Sequence, residues 1–344
     1  PLTTQGGASG QPLQKVGLSL QWLPQAQFAG FYVARDKGFF AKEGIDLQIL
    51  PYDGAGEPFE RLLNGQAALH VTWASQFLHQ RGQGQPIVGI MQVIQRSNFL
   101  LMGKKSEGIT APADLAGRQV GAWPGFETQT RALLDALGVG DSATLVPQPL
   151  SMAPFVDGTM SVASAMRYNE YNLAVKQLES QSLDPTDLTV FNAADYGLDV
   201  IEDTLTTLAD TLGRDRDLAV RMVRASLAGW AYAMAHPDEA IDILMQADPG
   251  LDRDHQTWMM QAIADTVMTG KAQSKGVGYI DLDRVAGEIG ILTTYGLLPA
   301  PIEPAAAYDT SIWQQATGRA GIDDRLKEPP QQAQPPQQEC PQAA

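Results

Sequence analysis

Short apolar segments alternate with longer amphipathic ones along most of the chain. Residues 16–22 (VGLSLQW) are a short run of apolar and β-favouring residues, which predicts a strand. The next segment, 28–44 (FAGFYVARDKGFFAKEG), is longer and predicts a helix that ends near Gly44. Three further strands and one helix follow: IDLQILPY, ALHVTWA and PIVGIMQVI as strands, and EPFERLLNGQ as the helix. This alternation is typical of a largely parallel α/β sheet.

A second unit of the same kind begins after Gly103. Its predicted elements are a helix start at 110–115 (TAPADL), a strand in RQVGAW and a helix in ETQTRALLDALGV, with GTMSVASAMR and DLTVFNAADYG completing the unit. From about Arg214 the pattern changes to long helices. We therefore expect an α/β protein with two lobes. Residues 15–102 with 206–320 form the first lobe, and residues 103–205 form the second.

Both ends of the chain differ from this pattern. Residues 1–14 are rich in Gly, Thr and Gln, and residues 328–344 are rich in Pro and Gln, so we expect both to be disordered. The one cysteine, Cys340, lies in the second of these segments, which excludes an intramolecular disulfide and a CxxC redox site. The chain begins at Pro1, and we expect a mature form from which an export signal has been removed.

Length and charge narrow the class of protein. The chain has 344 residues, enough for two domains, and no apolar stretch approaches the ~18 residues that span a bilayer. Its formal net charge of -15 is opposite in sign to that of a surface that neutralises phosphates, which argues against nucleic acid as a partner. We expect a freely diffusing monomer.

The common catalytic motifs are missing from the sequence. It contains no GxSxG elbow, no GxxxxGK[ST] phosphate loop and no HExxH. The four histidines, His70, His79, His236 and His255, are scattered, and the spacing of His70 and His79 does not suit a metal pair. We therefore predict no catalytic residue, no metal and no cofactor, and keep an enzyme only as an alternative.

Aromatic residues stand at or beyond the ends of three predicted strands. Trp22 closes the first strand, Trp73 the third, and Trp123, followed by Phe126, closes the strand that opens the second lobe. In open α/β sheets ligands bind beyond the carboxyl ends of strands, and aromatic faces hold planar molecules by stacking. We expect Trp22, Trp73 and Phe126 to line the cleft between the lobes, with Tyr32 behind them. Packing of these rings in a core is the alternative.

The predicted site extends to the residues that follow these rings. They are Gln25, Gln27 and Phe28 after Trp22, Ala74 and Ser75 after Trp73, and Gly125 after Trp123. Gly54, Ala55 and Gly56 form a turn after the second strand, where backbone N–H groups at a helix start would meet an acceptor atom of the ligand. A plain strand-to-helix turn is the alternative for these three residues.

Several segments resemble one family. Residues 20–50 (LQWLPQAQFAGFYVARDKGFFAKEGIDLQIL) resemble the start of the thiamine-pyrimidine-synthase-like family of ABC-transporter substrate-binding proteins. The resemblance continues through residues 62–76, 109–123, 167–174 and 195–205, and so covers roughly residues 15–320. It implies a periplasmic-binding-protein-like fold of type II, in which two α/β lobes are joined by a two-strand hinge. The crossovers would lie near residues 101–103 and 195–205.

The same resemblance implies a function. Such a protein is a periplasmic or other extracytoplasmic receptor, secreted or membrane-anchored, that delivers a small molecule to an ABC permease and its ATPase. The ligand would be a planar nitrogen heterocycle, such as a thiamine pyrimidine precursor or riboflavin. A thiamine-pyrimidine-synthase-like enzyme of the same fold is the alternative.

Three positions decide between these two alternatives. Enzyme members carry a histidine where Phe28 stands, a pyridoxal-linked lysine about where Thr72 stands, and a cysteine cluster near residues 198–202; this sequence has none of them. The resemblance therefore favours a binding protein. Members that bind aminopyrimidines usually carry the same histidine, so Phe28 indicates a different, larger or more apolar ring.

Polar residues of the second lobe are expected to contact the edge of that ring. Asn169 and Glu170 lie in RYNEYNLA, just after a predicted strand, and Tyr196 and Glu202 lie in DYGLDVIEDTL, where the aminopyrimidine binders have a ligand-contacting glutamate. A carboxylate buried beside aromatic rings needs hydrogen-bond donors, which the N–H groups of a heterocycle would supply. A cap or an ion pair at the hinge is the alternative role for Glu202.

Overall fold

The computed structural model describes residues 12–52, 59–123 and 126–318. Its strands are β1 (Gln14–Leu20), β2 (Ile45–Leu50), β3 (Leu69–Trp73), β4 (Ile87–Gln92), β5 (Phe99–Lys104), β6 (Gln119–Ala122), β7 (Thr144–Pro147), β8 (Ala163–Met166), β9 (Leu188–Asn192) and β10 (Asp203–Leu208). Its α-helices are α1 (Ala29–Asp36), α2 (Phe39–Lys42), α3 (Glu60–Leu63), α4 (Ala74–Gly82), α5 (Glu127–Ala136), α6 (Ala153–Val156), α7 (Glu170–Ser180), α8 (Ala209–Arg214), α9 (Arg216–Ala235), α10 (Pro237–Ala247), α11 (Arg253–Val267), α12 (Ala272–Lys275), α13 (Leu282–Thr294), α14 (Pro304–Ala307) and α15 (Thr310–Gly318).

The described chain divides into two compact units. Unit 1 combines the residues up to 95 with those from 200, and unit 2 comprises residues 96–199. The backbone therefore crosses between the units at 95–96 and at 199–200. The predicted boundaries, after residues 102 and 205, fall inside β5 and β10, because β5 is hydrogen-bonded to strands of unit 2 and β10 to strands of unit 1.

Unit 1 contains a five-stranded sheet in the order β2-β1-β3-β10-β4. β1 is parallel to β2 and β3, whereas β10 is antiparallel to both of its neighbours, β3 and β4. Along β1, Leu18, Ser19 and Leu20 are all fully buried, so both faces of the sheet are covered at this end of the strand. Because β1 to β4 all run in one direction and β10 runs in the other, β1 to β4 end, and β10 begins, at the same edge of this sheet. We call it the carboxyl edge of unit 1.

Unit 2 has the same strand order. β5 is antiparallel to its two neighbours, β8 and β9, and β6 is parallel to β7. A parallel bridge between Val120 and Val162 and a hydrogen bond of 2.7 Å from Ser164 Oγ to Gly121 O join β6 to β8. The resulting order is β7-β6-β8-β5-β9. In each unit the reversed strand is the first one after a crossover, so its beginning lies at the carboxyl edge.

Local sequence signals explain where several helices begin and end. The predicted helix over 28–44 is divided into α1 and α2, because Gly38 adopts a left-handed backbone conformation with φ 70°. α9, α11 and α13 each begin after an aspartate whose carboxylate accepts a backbone N–H of the first turn: Asp215, Asp252 and Asp281. Pro237 starts α10 directly after α9, since proline suits the first turn of a helix.

Two glycines allow α1 and α9 to pack closely in unit 1. A Cβ atom on Gly229 would lie 2.0 Å from the carbonyl oxygen of Gly30 and 2.5 Å from Cβ of Ala34. A Cβ atom on Gly30 would lie 2.3 Å from the Trp230 ring, which is fully buried and packs edge-on against Phe31. The two helices therefore approach each other at a distance that only glycine permits.

We expect Gly229→Ala to lower the free energy of unfolding by about 1–3 kcal/mol, because an added methyl group must displace backbone atoms. Gly287→Ala is the matched control, since a Cβ atom there, inside α13, meets nothing within 4 Å. Removing this helical glycine should raise stability by about 0.5–1 kcal/mol. Urea denaturation of both variants measures the two effects, and a shift of the same sign in both would contradict the close packing.

Candidate functional site

Three half-buried aromatic rings lie together at the carboxyl edge of unit 1. Trp22 follows β1, Tyr52 follows β2 and Trp73 ends β3, so the strand order makes the three residues neighbours. The Trp22 ring stacks on Tyr52, with centroids 6.3 Å and planes 22° apart, and its centroid lies 6.2 Å from that of Trp73 at 57°. We call these three residues the aromatic cluster. Partly exposed rings in this arrangement offer π-faces to a planar molecule.

Hydrogen bonds hold Tyr52 in place. Its backbone N–H donates to Trp22 O at 3.1 Å, and Arg61 Nη1 of α3 donates to Leu50 O and Pro51 O at 3.1 and 2.7 Å. The sequence pattern missed Tyr52 as a candidate, because the apolar run extends the predicted strand over it, whereas β2 ends at Leu50. The sequence feature that could have identified Tyr52 is the same one that pointed to Trp22, namely an aromatic residue just beyond the end of a strand.

A buried carboxylate lies beside the aromatic cluster. Asp203, the first residue of β10, is fully buried, and its Oδ1 accepts hydrogen bonds from Gln21 Nε2 at 2.7 Å and Gln27 Nε2 at 3.1 Å. Its Oδ2 accepts a second contact from Gln27 Nε2 at 2.9 Å, and Gln27 Oε1 accepts from Gln25 Nε2 at 2.8 Å. Gln25 and Gln27 were predicted site residues, whereas Gln21 and Asp203 were not.

Other predicted residues of unit 1 lie in its core. Phe28 and Ala74 are fully buried, and Ser75 is buried at the start of α4. Tyr32 is 3% exposed, and burial raises its pKa to about 12, although Arg35 beside its ring acts in the opposite direction. In this structure Phe28 has no exposed surface to offer a ligand, so packing of α1 explains this residue.

Unit 2 also carries aromatic residues at its carboxyl edge. Trp123 follows β6, Phe126 precedes α5 and Phe99 begins β5. Phe126 lies edge-on to both other rings, with centroids 5.0 Å from Phe99 and 5.8 Å from Trp123. Trp123 therefore has the same place in the strand order of unit 2 as Trp22 in unit 1. Both Trp123 and Phe126 are 5% exposed, so they are more buried than the aromatic cluster.

Glu170 and Asn169 close the turn between β8 and α7. Glu170 Oε2 accepts the backbone N–H of Met166 at 2.9 Å, and Glu170 Oε1 accepts Asn169 Nδ2 at 2.6 Å. Burial raises the pKa of the Glu170 carboxyl to about 7, although the hydrogen bond from Met166 lowers it. Sequence reasoning assigned these oxygens to a ligand, but here they satisfy donors of their own turn.

The remaining predicted residues lie near the second crossover or outside the described residues. Glu202 is buried, its backbone N–H donates to Ile94 O at 3.1 Å, and its carbonyl accepts from Ala74 N at 3.2 Å, so its main chain joins the ends of β3 and β4. Tyr196 is half-buried in a 3-10 helix, and burial raises its pKa. Gly54, Ala55, Gly56 and Gly125 lie outside the described residues.

Metal ligands, membrane-spanning helices and the buried His70 complete the picture of the described residues. They contain no group of three or more His, Cys, Asp or Glu side chains placed to hold a metal ion. None of their helices has the length and apolar character needed to cross a membrane. His70 is fully buried in β3, where burial lowers its pKa to about 3 and its Nδ1 lies 3.2 Å from Ser19 O.

A family comparison identifies the chain. The sequence profile described as NMT1/THI5 like matches residues 25–240. The chain belongs to the NMT1/THI5-like family. This confirms the resemblance seen in segments such as LQWLPQAQFAGFYVARDKGFFAKEGIDLQIL.

Individual proteins agree with this NMT1/THI5-like assignment. The riboflavin-binding protein RibY of Chloroflexus aurantiacus is 28% identical over 321 residues, which are 89% of this chain and 88% of that protein. A formylaminopyrimidine-binding protein of Halalkalibacterium halodurans is 24% identical over 70% of this chain and 73% of its own length. The crystal structure of the periplasmic nitrate-binding protein NrtA of Synechocystis PCC 6803 matches with a TM-score of 0.70 at 14% identity, covering 92% of each chain. The predicted α/β fold of the periplasmic-binding-protein kind is thereby confirmed.

The buried Asp203 makes the stability of this NMT1/THI5-like protein depend on pH. Burial raises its pKa from 3.8 to about 7, and the hydrogen bonds from Gln27 and Gln21 only partly offset that rise. Between these values the folded protein keeps a proton that the unfolded chain releases, so the free energy of unfolding decreases as pH rises through this window. Glu170, with its raised pKa, contributes in the same direction.

We expect Asp203→Asn to remove its share of this pH dependence, because the amide carries no charge at any pH. Between pH 5 and pH 8 the variant should gain stability relative to the wild type by up to about 3 kcal/mol. Urea denaturation at both pH values measures the difference. Asp36→Asn, at an exposed aspartate of α1, is the control and should follow the wild type. Equal slopes for Asp203→Asn and the wild type would contradict the assignment.

Proposed function

We propose that this chain is an extracytoplasmic substrate-binding protein of an ABC importer that captures a planar nitrogen heterocycle of the riboflavin type. One observation supports this most strongly. Trp22, Tyr52 and Trp73 are partly exposed and adjacent at the edge where parallel strands end, the place where open α/β sheets bind ligands. An ABC permease and its ATPase would be the partners that receive the ligand.

The names of the relatives support the chemical class. Both curated relatives described above are named for binding a nitrogen heterocycle, and the flavin binder is similar over a larger share of this chain. A tricyclic flavin ring also covers more aromatic surface than a single pyrimidine ring. Stacking therefore favours a flavin at a cluster of three rings.

The alternative of a synthase of the same fold has less support. Enzyme members carry a pyridoxal-linked lysine about where Thr72 stands, and a hydroxyl group forms no Schiff base with an aldehyde. Thr72 is fully buried within β3, between β1 and β10. A substrate-binding role needs no such residue, because binding and release leave the ligand unchanged.

The test is a calorimetric titration of the purified full chain with riboflavin. If Trp22 stacks on the ring, Trp22→Ala should weaken binding by about 1–3 kcal/mol, as loss of aromatic stacking does at other heterocycles. Phe39→Ala is the matched control, since Phe39 is a half-buried ring that packs against Tyr232. It lies just before β2 and so at the opposite edge of the sheet. This control should bind riboflavin like the wild type.

A thermal-shift panel tests the class of ligand. A ligand at 100 times its dissociation constant adds about 2.7 kcal/mol of stability, so a true ligand gives a clear shift. Riboflavin, a formylated aminopyrimidine, an aliphatic sulfonate and nitrate form the panel. Stabilisation by the sulfonate or by nitrate, with none by either heterocycle, would contradict the proposed function. Equal riboflavin affinity of Trp22→Ala and Phe39→Ala would contradict the role of the aromatic cluster.

A further inference from the structure

Asp203 connects the segment that carries Trp22 to the rest of the sheet. Gln21 and Gln27, which donate to its carboxylate, stand on either side of residues 22–26, so one carboxylate holds both ends of this segment. In the ladder between β3 and β10, Asp203 is the residue paired with Trp73. The side chain of Asp203 is therefore hydrogen-bonded to both ends of the Trp22 segment, while its backbone is paired with that of Trp73.

The main chain of Asp203 is equally well fixed. Its carbonyl oxygen accepts Val93 N at 2.8 Å, Ile94 N at 3.3 Å and Gln92 Nε2 at 3.2 Å. Gln92 ends β4, Val93 and Ile94 lead from it into the first crossover, and Asp203 itself follows the second crossover. Because its backbone is held on two sides, the carboxylate is a fixed point to which the segment of residues 22–26 is attached.

The chemistry of the group suits this role. The carboxyl group of Asp203 has two oxygens, so it can receive both glutamine amides at once. An amide oxygen in the same place can still accept hydrogen bonds from these donors, whereas a methyl group accepts none. Hydrogen bonds from amide N–H groups to a carboxylate in a buried site are short and strong. Asp203 is fully buried, so it acts on a ligand through the residues that it holds.

We propose that Asp203 is a positioning residue that fixes the Trp22 ring in its stacked geometry against Tyr52 and Trp73, and thereby sets the affinity for a planar ligand. This inference rests on the proposed function for its ligand. Its geometric part, the orientation of the Trp22 ring, concerns the protein without ligand, and its functional part concerns the affinity for the ligand. The two parts can be tested separately.

The geometric part is tested by near-ultraviolet circular dichroism without ligand, which reports the packing of aromatic side chains. Asp203→Ala should weaken the same tryptophan bands that Trp22→Ala removes, because the Trp22 ring loses its fixed orientation. The far-ultraviolet spectrum should stay unchanged. Asp203→Asn keeps the shape and one acceptor oxygen, and should restore most of the wild-type spectrum. Gln27→Met, which removes the donor from the other side and keeps the chain length, should alter the same bands if Asp203→Ala does not fold.

Thr206→Val is the matched control. Thr206 lies in the same strand, is fully buried and donates its hydrogen bond of 2.9 Å to His70 O of β3, whereas Asp203 is bonded to Gln21 and Gln27. The control loses a buried hydrogen bond and should keep both the wild-type tryptophan bands and the wild-type affinity. A loss common to both positions would reflect general weakening of the sheet and would overturn the proposal.

The functional part is tested by titration with riboflavin. Asp203→Ala should weaken binding about tenfold, corresponding to about 1.4 kcal/mol, and Asp203→Asn should recover most of that loss. Unchanged tryptophan bands in both Asp203→Ala and Gln27→Met would overturn the positioning role. If the wild type binds neither riboflavin nor the formylated aminopyrimidine, the proposed function fails, while the dichroism comparison still decides whether Asp203 positions Trp22.

Discussion

The antiparallel insertion of β10 between β3 and β4 is the constraint on which the candidate site depends. A strand that runs against its neighbours begins where they end, so the first residue of β10, Asp203, lies at the carboxyl edge of unit 1. The chain enters this edge directly from the crossover at 199–200. The same strand therefore joins β3 to β4 and supplies the carboxylate that accepts hydrogen bonds from both ends of the Trp22 segment.

Much of this architecture could be predicted from the sequence. Alternating apolar segments gave β1 to β4, and the rule that ligands bind beyond strand ends pointed to Trp22 and Trp73. β7 was missed because it is a four-residue strand that ends in Pro147, a poor signal for a strand. Asp203 was missed because its partners, Gln21 and Gln27, are 182 and 176 residues away along the chain, and only the pairing of β10 with β3 brings them together.

Burial separates the predicted site residues into two groups. Glu170 and Phe28 were predicted from their position after a strand end, which local sequence shows. Whether such a side chain faces a ligand or its own fold is decided by burial, which depends on the whole unit. Burial assigns the Glu170 carboxylate to the N–H of Met166 and Phe28 to the core. Trp22 and Tyr52 remain partly exposed, and for this reason the proposed function rests on them.

Stacking of a planar ring on Trp22 is the interaction on which the proposed function depends. Flavin emission is quenched when the isoalloxazine ring lies against an indole, so a fluorescence titration of riboflavin with the full chain measures stacking directly. We expect strong quenching at saturation with the wild type and with Phe39→Ala. With riboflavin bound to Trp22→Ala we expect partial recovery of emission, since Trp73 and Tyr52 remain in the cluster. Bound riboflavin that stays fluorescent with the wild type, or that is quenched equally by Trp22→Ala, would contradict stacking on Trp22.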